Sequence, residues 1–227
     1  MMKKYIYTVI SILLFVVTSC NEEDTSGFGV GYLSIDGINL SCKNELIPLS
    51  RAVDAGLKLE IWQGEDCIKS YDPGADELSK RIVLSVGEYV LKAYTPDKEE
   101  ALDGETGNPV YEVEYSFSIV SQDITVISVT VPQINIGISV EYTDGFKENF
   151  FDYSVVVYSR SGREVTVTGE SADIYYFNVP DDGILYYVLT TTNADGETMV
   201  SEERAIISDG KDRLIAGNYK VVIDIAQ

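Results

Sequence analysis

Residues 111–119 read Tyr111-Glu112-Val113-Glu114-Tyr115-Ser116-Phe117-Ser118-Ile119, with an apolar or aromatic side chain at every odd position and a polar one at every even position. Successive side chains of a β-strand point to opposite faces of the sheet, so this stretch predicts a strand with one buried and one solvent-facing side. This pattern is typical of antiparallel sheets that pack one face on a core.

The same alternation recurs along both halves of the chain. Segments with one apolar face are Leu57–Trp62, Ile82–Val86, Tyr89–Ala93, Ile134–Val140, Tyr153–Tyr158, Val165–Thr168, Ile174–Val179, Leu185–Thr190 and Tyr219–Ile225. Turn signals separate the later ones: Asp144-Gly145, Ser161-Gly162, Asp182-Gly183 and Asp195-Gly196. Strands at this spacing are typical of β-sandwiches, and no segment after residue 20 has sustained helical periodicity. We therefore predict an all-β fold.

The two halves also resemble each other. Leu57–Ile68 matches Tyr153–Val165, each a strand, a glycine turn and a return strand, and Ser118–Val131 aligns with Ile206–Ile225. Pro132 ends the preceding strand because proline cannot donate to a ladder. We predict two tandem Ig-like antiparallel β-sandwich domains, 31–132 and 133–227.

The N-terminus has the features of a lipoprotein signal peptide, residues 1–19. Lys3 and Lys4 precede an apolar run that ends in Val17-Thr18-Ser19-Cys20, where small residues and a cysteine form a lipobox. The run is shorter than the roughly 20 residues of a membrane-spanning helix. We predict cleavage before Cys20 and a membrane anchor of acyl chains on that residue. The alternative is an ordinary secretory signal.

Residues 20–30 form an acidic, glycine-rich tether that begins Asn21-Glu22-Glu23-Asp24 after the lipidated cysteine. It resembles the acidic export signal that sends lipoproteins to the outer face of the outer membrane in gut and oral Gram-negative bacteria. This resemblance implies an outer-membrane, lipid-anchored protein that faces the cell exterior. An acidic tract is also a generic flexible linker.

Charge and composition exclude several function classes. The chain has 37 acidic and 17 basic side chains, a formal net charge of −20 and no histidine. Nucleic-acid binding requires basic residues to displace counterions, so it is excluded. Without histidine the usual serine and cysteine nucleophile pairs are absent, and no cofactor-binding motif occurs, so we predict neither an enzyme nor a cofactor. A glycosidase with two carboxylates is the alternative.

Two acidic loops and two cysteines are weaker candidates. The loops contain Asp72, Asp76 and Glu77, and Asp97, Glu99, Glu100, Asp103 and Glu105. Neither has the spacing of a known calcium loop, so solvated loops are favoured and no metal site is predicted. Cys42 and Cys67 would share an oxidising compartment, which permits a disulfide; two separate thiols are the alternative.

Five aromatic residues are predicted to lie on outward faces of strands: Trp62, Tyr94, Tyr158, Tyr175 and Tyr186. Outward aromatic rings can stack on sugar rings, which makes them candidates for a glycan-binding face. The alternatives are an interface between the two domains or simple cross-strand pairing.

Several stretches occur in an order that is more specific than any one of them. They are Gly27–Ile35 after the lipobox, Ser50-Arg51-Ala52, Leu84–Ala93 and Gly217–Val221. Together they resemble a DUF4493-like family of two-domain surface lipoproteins of unknown function. The layout is also similar to that of fimbrillins, precursors of pili that a protease cuts at an arginine after the first strand. The resemblance implies a proteolytic maturation site at Arg51-Ala52.

Three functions stay open at this point. The first is a tethered adhesion or binding module at the cell surface with a protein ligand, and the second is a glycan-binding lipoprotein. The third is a pilus subunit that is cut at Arg51-Ala52 and assembles when a neighbouring copy adds a strand at an open sheet edge.

Overall fold

The computed structural model describes residues 29–42, 45–47, 56–75, 81–160, 162–207 and 212–225. Their regular structure is β-strand apart from one short helix, Asp144–Asn149, which confirms the all-β prediction. Within them, no helix has the length and apolar composition needed to cross a membrane.

The first half of the chain folds into two facing sheets. Its strands are β1 (Val30–Cys42), β2 (Glu45–Ile47), β3 (Lys58–Gln63), β4 (Asp66–Tyr71), β5 (Ile82–Ser85), β6 (Gly87–Tyr94), β7 (Glu112–Ile119) and β8 (Ile124–Pro132). One sheet places β1 beside β2, β5 and β8, and the other has the order β4-β3-β6-β7. Leu33 and Val129 from one sheet and Ile61 and Leu91 from the other share one buried core. This unit is called the first sandwich.

The second half repeats this arrangement. Its elements are β9 (Ile136–Tyr142), helix α1 (Asp144–Asn149), β10 (Phe150–Tyr158), β11 (Glu164–Thr168), β12 (Tyr175–Phe177), β13 (Leu185–Asn193), β14 (Thr198–Val200), β15 (Arg204–Ile206) and β16 (Gly217–Ile223). The sheets have the orders β12-β9-β16 and β11-β10-β13-β14, with β15 also paired to β13. Ile138, Val155, Phe177 and Leu185 are among the members of a separate core. This unit is called the second sandwich.

The strand orders of the two sandwiches correspond. The hairpin β3–β4 occupies the place of β10–β11, β6 that of β13, and β5 that of β12. The sequence similarity between Leu57–Ile68 and Tyr153–Val165 falls on these two hairpins. The alternating side chains thus build the same sheet pair twice.

Two features differ from the sequence prediction. The first strand of each sandwich pairs with the last in parallel, β1 with β8 and β9 with β16, so the sheets are not purely antiparallel. Alternation specifies which face of a strand is buried but not the direction of its neighbour.

The predicted turn at Asp144-Gly145 is wrong, because these residues begin α1. The hydroxyl of Thr143 accepts a hydrogen bond from the Phe146 main-chain N–H at 3.2 Å and so caps the helix. Phe146 is buried and anchors the short helix on the second core.

Candidate functional site

Two of the predicted outward aromatics lie together on the outer face of β3 and β6. The Trp62 indole N–H and the Tyr94 hydroxyl each donate to the Glu60 carboxylate, both at 3.0 Å, and the Lys58 ammonium lies 3.4 Å from it. Burial raises the pKa of Glu60, but these three donors together hold that pKa below its ordinary value. The cluster is a cross-strand network built around one ionised carboxylate.

The ring faces of this network are covered by lysines. The ammonium of Lys92 lies 5.0 Å from the centre of the Trp62 ring, and that of Lys98 lies 4.9 Å from the centre of the Tyr94 ring. Lys92 also pairs with Glu114 at 2.9 Å. A sugar ring would have to displace these cations before it could stack.

Two further aromatics form an equivalent cluster on the second sandwich. Tyr158 and Tyr186 are opposite each other on β10 and β13, with ring centres 6.0 Å apart. The guanidinium of Arg160 lies 4.2 Å from the Tyr186 ring and donates to Glu203 at 2.6 Å, and the Tyr158 hydroxyl also donates to Glu203. Here too a carboxylate and a cation organise the rings.

Tyr175 does not join these clusters. It lies on the same face of β12 as the fully buried Phe177 and packs against the second core. This is the opposite of the outward position that alternation predicted. Tyr175 and Tyr176 are both half-buried, so neither face of the three-residue strand β12 is fully exposed.

A junction between the two sandwiches centres on Arg163, a residue that the sequence did not single out. Its side chain is only 4% exposed. The guanidinium donates to the main-chain carbonyls of Tyr176, at 2.7 Å, and of Glu105, and it lies 5.1 Å from the Phe177 ring. Because Glu105 belongs to the loop between β6 and β7, this arginine ties the first sandwich to the second.

Carboxylates of the same loop complete the junction. Asp103 accepts from the main-chain N–H of Glu164 at 2.9 Å, and Glu100 accepts from that of Asn178 at 2.7 Å. These are two of the side chains considered above as calcium ligands, and they bind main-chain donors instead. Within the described residues, no group of three or more carboxylates or cysteines is arranged to hold a metal ion.

Two polar residues of the linker, Gln133 and Asn135, are buried and hydrogen-bonded. Asn135 accepts from the Val110 main-chain N–H at 3.0 Å and donates to the Asn108 carbonyl at 2.9 Å. Gln133 donates to the Asn135 carbonyl and to the Asn218 side chain, at 3.0 and 3.1 Å. Buried polar groups that are paired in this way fix the linker in one conformation.

An apolar groove of about 510 Å³ opens between the two sheets of the second sandwich. It is called the distal groove and is lined by Phe146, Phe150, Tyr187, Leu189, Thr191, Met199, Val200, Ser201, Arg204, Val222, Ile223, Asp224 and Ile225. Most of these side chains are apolar. The volume and the few polar groups are typical of a binding cleft.

The distal groove and the start of β1 lie at opposite ends of the pair of sandwiches. β1 runs parallel to β8, which leads into the junction, so Val30 lies at the end of the first sandwich away from the junction. β9 starts at the junction, and Ile223, which lines the groove, is paired with Tyr142 at the far end of β9. The groove is therefore far from the point where the tether joins.

Several sites predicted from the sequence lie in segments outside the described residues. Cys20, Arg51 and Ala52 lie outside the described residues, as do Asp76 and Glu77. Cys67 is on β4 with an exposed thiol that donates to the Lys69 carbonyl, whereas the side chain of Cys42 is outside the described part. The lipid anchor, the cleavage site and the disulfide stay predictions.

The comparison with known families identifies the chain. A family model described as a domain of unknown function, DUF4493, matches residues 29–225. The chain belongs to this family. The resemblance inferred from the order of the sequence stretches is confirmed. No curated protein matches this DUF4493 chain.

Several solved structures are similar to the DUF4493 chain. A candidate cell adhesion protein from Bacteroides ovatus shares 12% identity over 86% of this chain and 92% of that one, with a TM-score of 0.43. A candidate adhesin from the same species shares 10% identity over 86% and 87%, with a TM-score of 0.41. The TIE protein of Bacillus anthracis shares 15% identity over 86% of this chain, with a TM-score of 0.30, and the chain spans 34% of that protein's length.

Proposed function

We propose that this DUF4493 chain is a non-catalytic lipoprotein of the outer membrane, anchored at Cys20, that faces the cell exterior and acts as an adhesion or binding module. In this proposal residues 31–132 and 133–227 are its two domains. The observation that carries it is the position of the distal groove. A groove at the end opposite the tether is the part of an anchored protein that meets other surfaces first.

The junction supports the same reading. A binding end is useful at a distance only if the segments between it and the anchor hold their geometry. The bond from Arg163 to the Glu105 carbonyl and the bond from Asn135 to the Asn108 carbonyl join the two sandwiches. The absence of histidine and the engagement of Glu60 and Glu203 in structural networks argue for binding rather than catalysis.

The test combines anchoring with exposure. Cells that produce the wild-type chain or the Cys20→Ala variant are fractionated and treated intact with proteinase K. We expect the wild type in the outer-membrane fraction and degraded from outside, and the variant absent from the outer-membrane fraction and protected in intact cells. Adherence of both strains to immobilised mucin and fibronectin then tests the adhesion function. A wild-type protein that is protected in intact cells would contradict the proposal.

A pilus subunit is the second candidate, favoured by the position of β1. Arg51 follows β2, so a cut there would release the segment that contains β1 and β2, and β1 lies between β8 and β5 with Leu33 and Ile38 in the first core. Removal of β1 would open a groove that a strand of another copy fits. N-terminal mapping of the native protein tests this candidate: a start at Ala52 that disappears in Arg51→Ala supports it, and a start at Cys20 in every molecule excludes it.

Glycan binding is a third candidate because Trp62 and Tyr94 lie on one outer face. Trp62 is the only tryptophan, so its fluorescence reports on that face alone. Titration with mucin-derived oligosaccharides should quench it if the rings bind sugar after Lys92 is displaced. Quenching in the wild type, together with loss of oligosaccharide binding by Trp62→Ala in titration calorimetry, would favour this candidate over a protein ligand.

A further inference from the structure

In the first sandwich, the end that corresponds to the distal groove is closed. There, Tyr111 immediately before β7 forms a bridge with Gln133 immediately after β8. Val110 and Tyr111 are buried, and their main-chain carbonyls accept from Ile134 at 2.8 Å and from Thr95 at 2.9 Å. Tyr111 is a member of the first core, so an aromatic side chain on an extended segment occupies the gap between the two sheets.

The second sandwich has no such closure among its described residues. The corresponding edge strand is divided into β14 and β15, and β14 exposes Met199 and Val200. The residue before β14 is the exposed, charged Glu197, in the place where the first sandwich has Tyr111. The distal groove is the gap that results.

Two polar features of the distal groove are typical of a peptide site. The Thr191 hydroxyl, on a residue only 4% exposed, has no hydrogen-bond partner in the described part of the chain. Within the described residues, one wall is the free edge of β16. The Gly217 N–H donates to the Asn135 carbonyl and the Ile223 carbonyl accepts from the Thr143 N–H, so the main-chain groups of the odd-numbered residues point toward β9. The main-chain N–H and carbonyl of Val222 therefore point to the opposite, groove side of β16.

We infer that the distal groove binds an extended peptide segment of a partner protein that carries an aromatic side chain. The aromatic ring enters the groove as Tyr111 enters the corresponding gap of the first sandwich. The main chain of the segment pairs with the β16 edge at Val222, and a polar group of the segment satisfies Thr191. This inference deepens the proposed function, on which it rests, by naming the class of ligand.

Charge favours a separate partner over a second copy. The chain has a net charge of −20, so two copies repel each other at their surfaces. In addition, Tyr111 of each copy is buried in its own first core. A neutral segment of another protein meets neither obstacle, and the groove lining itself holds one cation, Arg204, and one carboxylate, Asp224.

The test uses the Cys20→Ser chain, which is produced without acyl chains, and a fluorescein-labelled peptide that copies residues 106–113 with Glu112→Gln, which makes its side chains uncharged. Fluorescence anisotropy measures binding to the wild type and to Met199→Glu and Val222→Glu, which place a charge on partly exposed groove residues. The matched control is Val83→Glu, since Val83 is equally exposed on the first sandwich. A second, equally uncharged peptide carries Tyr111→Ser in addition.

We expect saturable binding of the first peptide and none of the second. Met199→Glu and Val222→Glu should each weaken it about tenfold or more, because each sets a charge against an apolar side chain, and Val83→Glu should not. Thr191→Val should weaken binding without lowering the unfolding midpoint. The inference would be overturned if Val83→Glu weakened peptide binding as much as the groove variants do, or if both peptides bound equally well. It would also be overturned if the wild type formed a dimer that Val222→Glu abolished. The anchor plays no part in this assay, so its failure is separate from that of the proposed function.

Discussion

Replacement of Arg163 by alanine tests whether the junction makes one mechanical unit of the two sandwiches. The guanidinium is buried and bridges the carbonyls of Glu105 and Tyr176, which belong to different sandwiches. Alanine removes both bonds and leaves two carbonyls without their donor. The variant should keep both cores intact, since Arg163 belongs to neither core.

The magnitude follows from these contacts. A hydrogen bond from a charged donor contributes about 1.5–3 kcal/mol, so two bonds contribute about 3–6 kcal/mol. Against this, the Arg163 Nε is buried without a partner in the described residues, and burial lowers the pKa of the guanidinium. Relief of such an unsatisfied group recovers about 1–3 kcal/mol. The central values of these two ranges predict that the free energy of unfolding falls by about 2–3 kcal/mol.

Urea unfolding followed by two probes measures the effect. Trp62 fluorescence reports on the first sandwich, and far-ultraviolet circular dichroism reports on both. In the wild type the two transitions should coincide. In Arg163→Ala the circular dichroism midpoint should fall by about 1 M or more, given the usual dependence of stability on urea, and the Trp62 transition should separate from it.

Arg160→Ala is the matched control, because Arg160 lies three residues away in an exposed cluster with Glu203. Exposed ion pairs contribute little, so its midpoint should hardly move. Arg163→Lys should behave like the alanine variant, because an ammonium cannot reach both carbonyls as a guanidinium does. Equal midpoints for Arg163→Ala and Arg160→Ala, with coincident transitions in both, would refute the reasoning.

Three other substitutions have definite expected outcomes. Glu60→Gln should lower the urea midpoint at pH 7, because the ionised carboxylate stabilises the folded state. The folded pKa of Glu60 lies below its ordinary value of 4.5, so the wild type loses this stabilisation as the pH falls through the folded pKa. The midpoints of the wild type and the variant should therefore converge in acid. Thr191→Val should leave the melting temperature unchanged or raise it, because it removes a buried hydroxyl that has no partner in the described residues; a clear fall would contradict this. Gly31→Ala should lower the free energy of unfolding in urea by about 1–3 kcal/mol, because a Cβ there would lie 2.3 Å from the Val120 carbonyl oxygen. Gly145→Ala is the control, since a Cβ at Gly145 would meet no atom within 4 Å.

Much of the fold could be predicted because each strand carries its own signal. The alternation in Tyr111–Ile119 specifies a half-buried strand without knowledge of its neighbours, and the structure has β7 there. The parallel pairing of β1 with β8 could not be predicted in this way. It depends on which strands meet, and residues far apart in the sequence decide that.

The candidate sites were harder to predict because the role of each residue depends on partners that are distant in the sequence. Trp62 and Tyr94 were predicted to face outward, but only the register between β3 and β6 brings both to Glu60. Arg163 reads as one more basic residue after a turn, and its burial arises from a loop 58 residues earlier. No local pattern around Thr191 indicates a groove, since the groove is a gap between sheets.

The parallel pairing of the first and last strands has a consequence for a protein that is pulled. A load between the start of β1 and the end of β8 acts along the strands, so the ladder over Tyr32–Ser41 is sheared and its bonds resist together. The same geometry recurs between β9 and β16 over Ile136–Tyr142. A chain held at one end and gripped at the other would therefore carry tension through two shear ladders in series, and would yield by rupture rather than by gradual peeling.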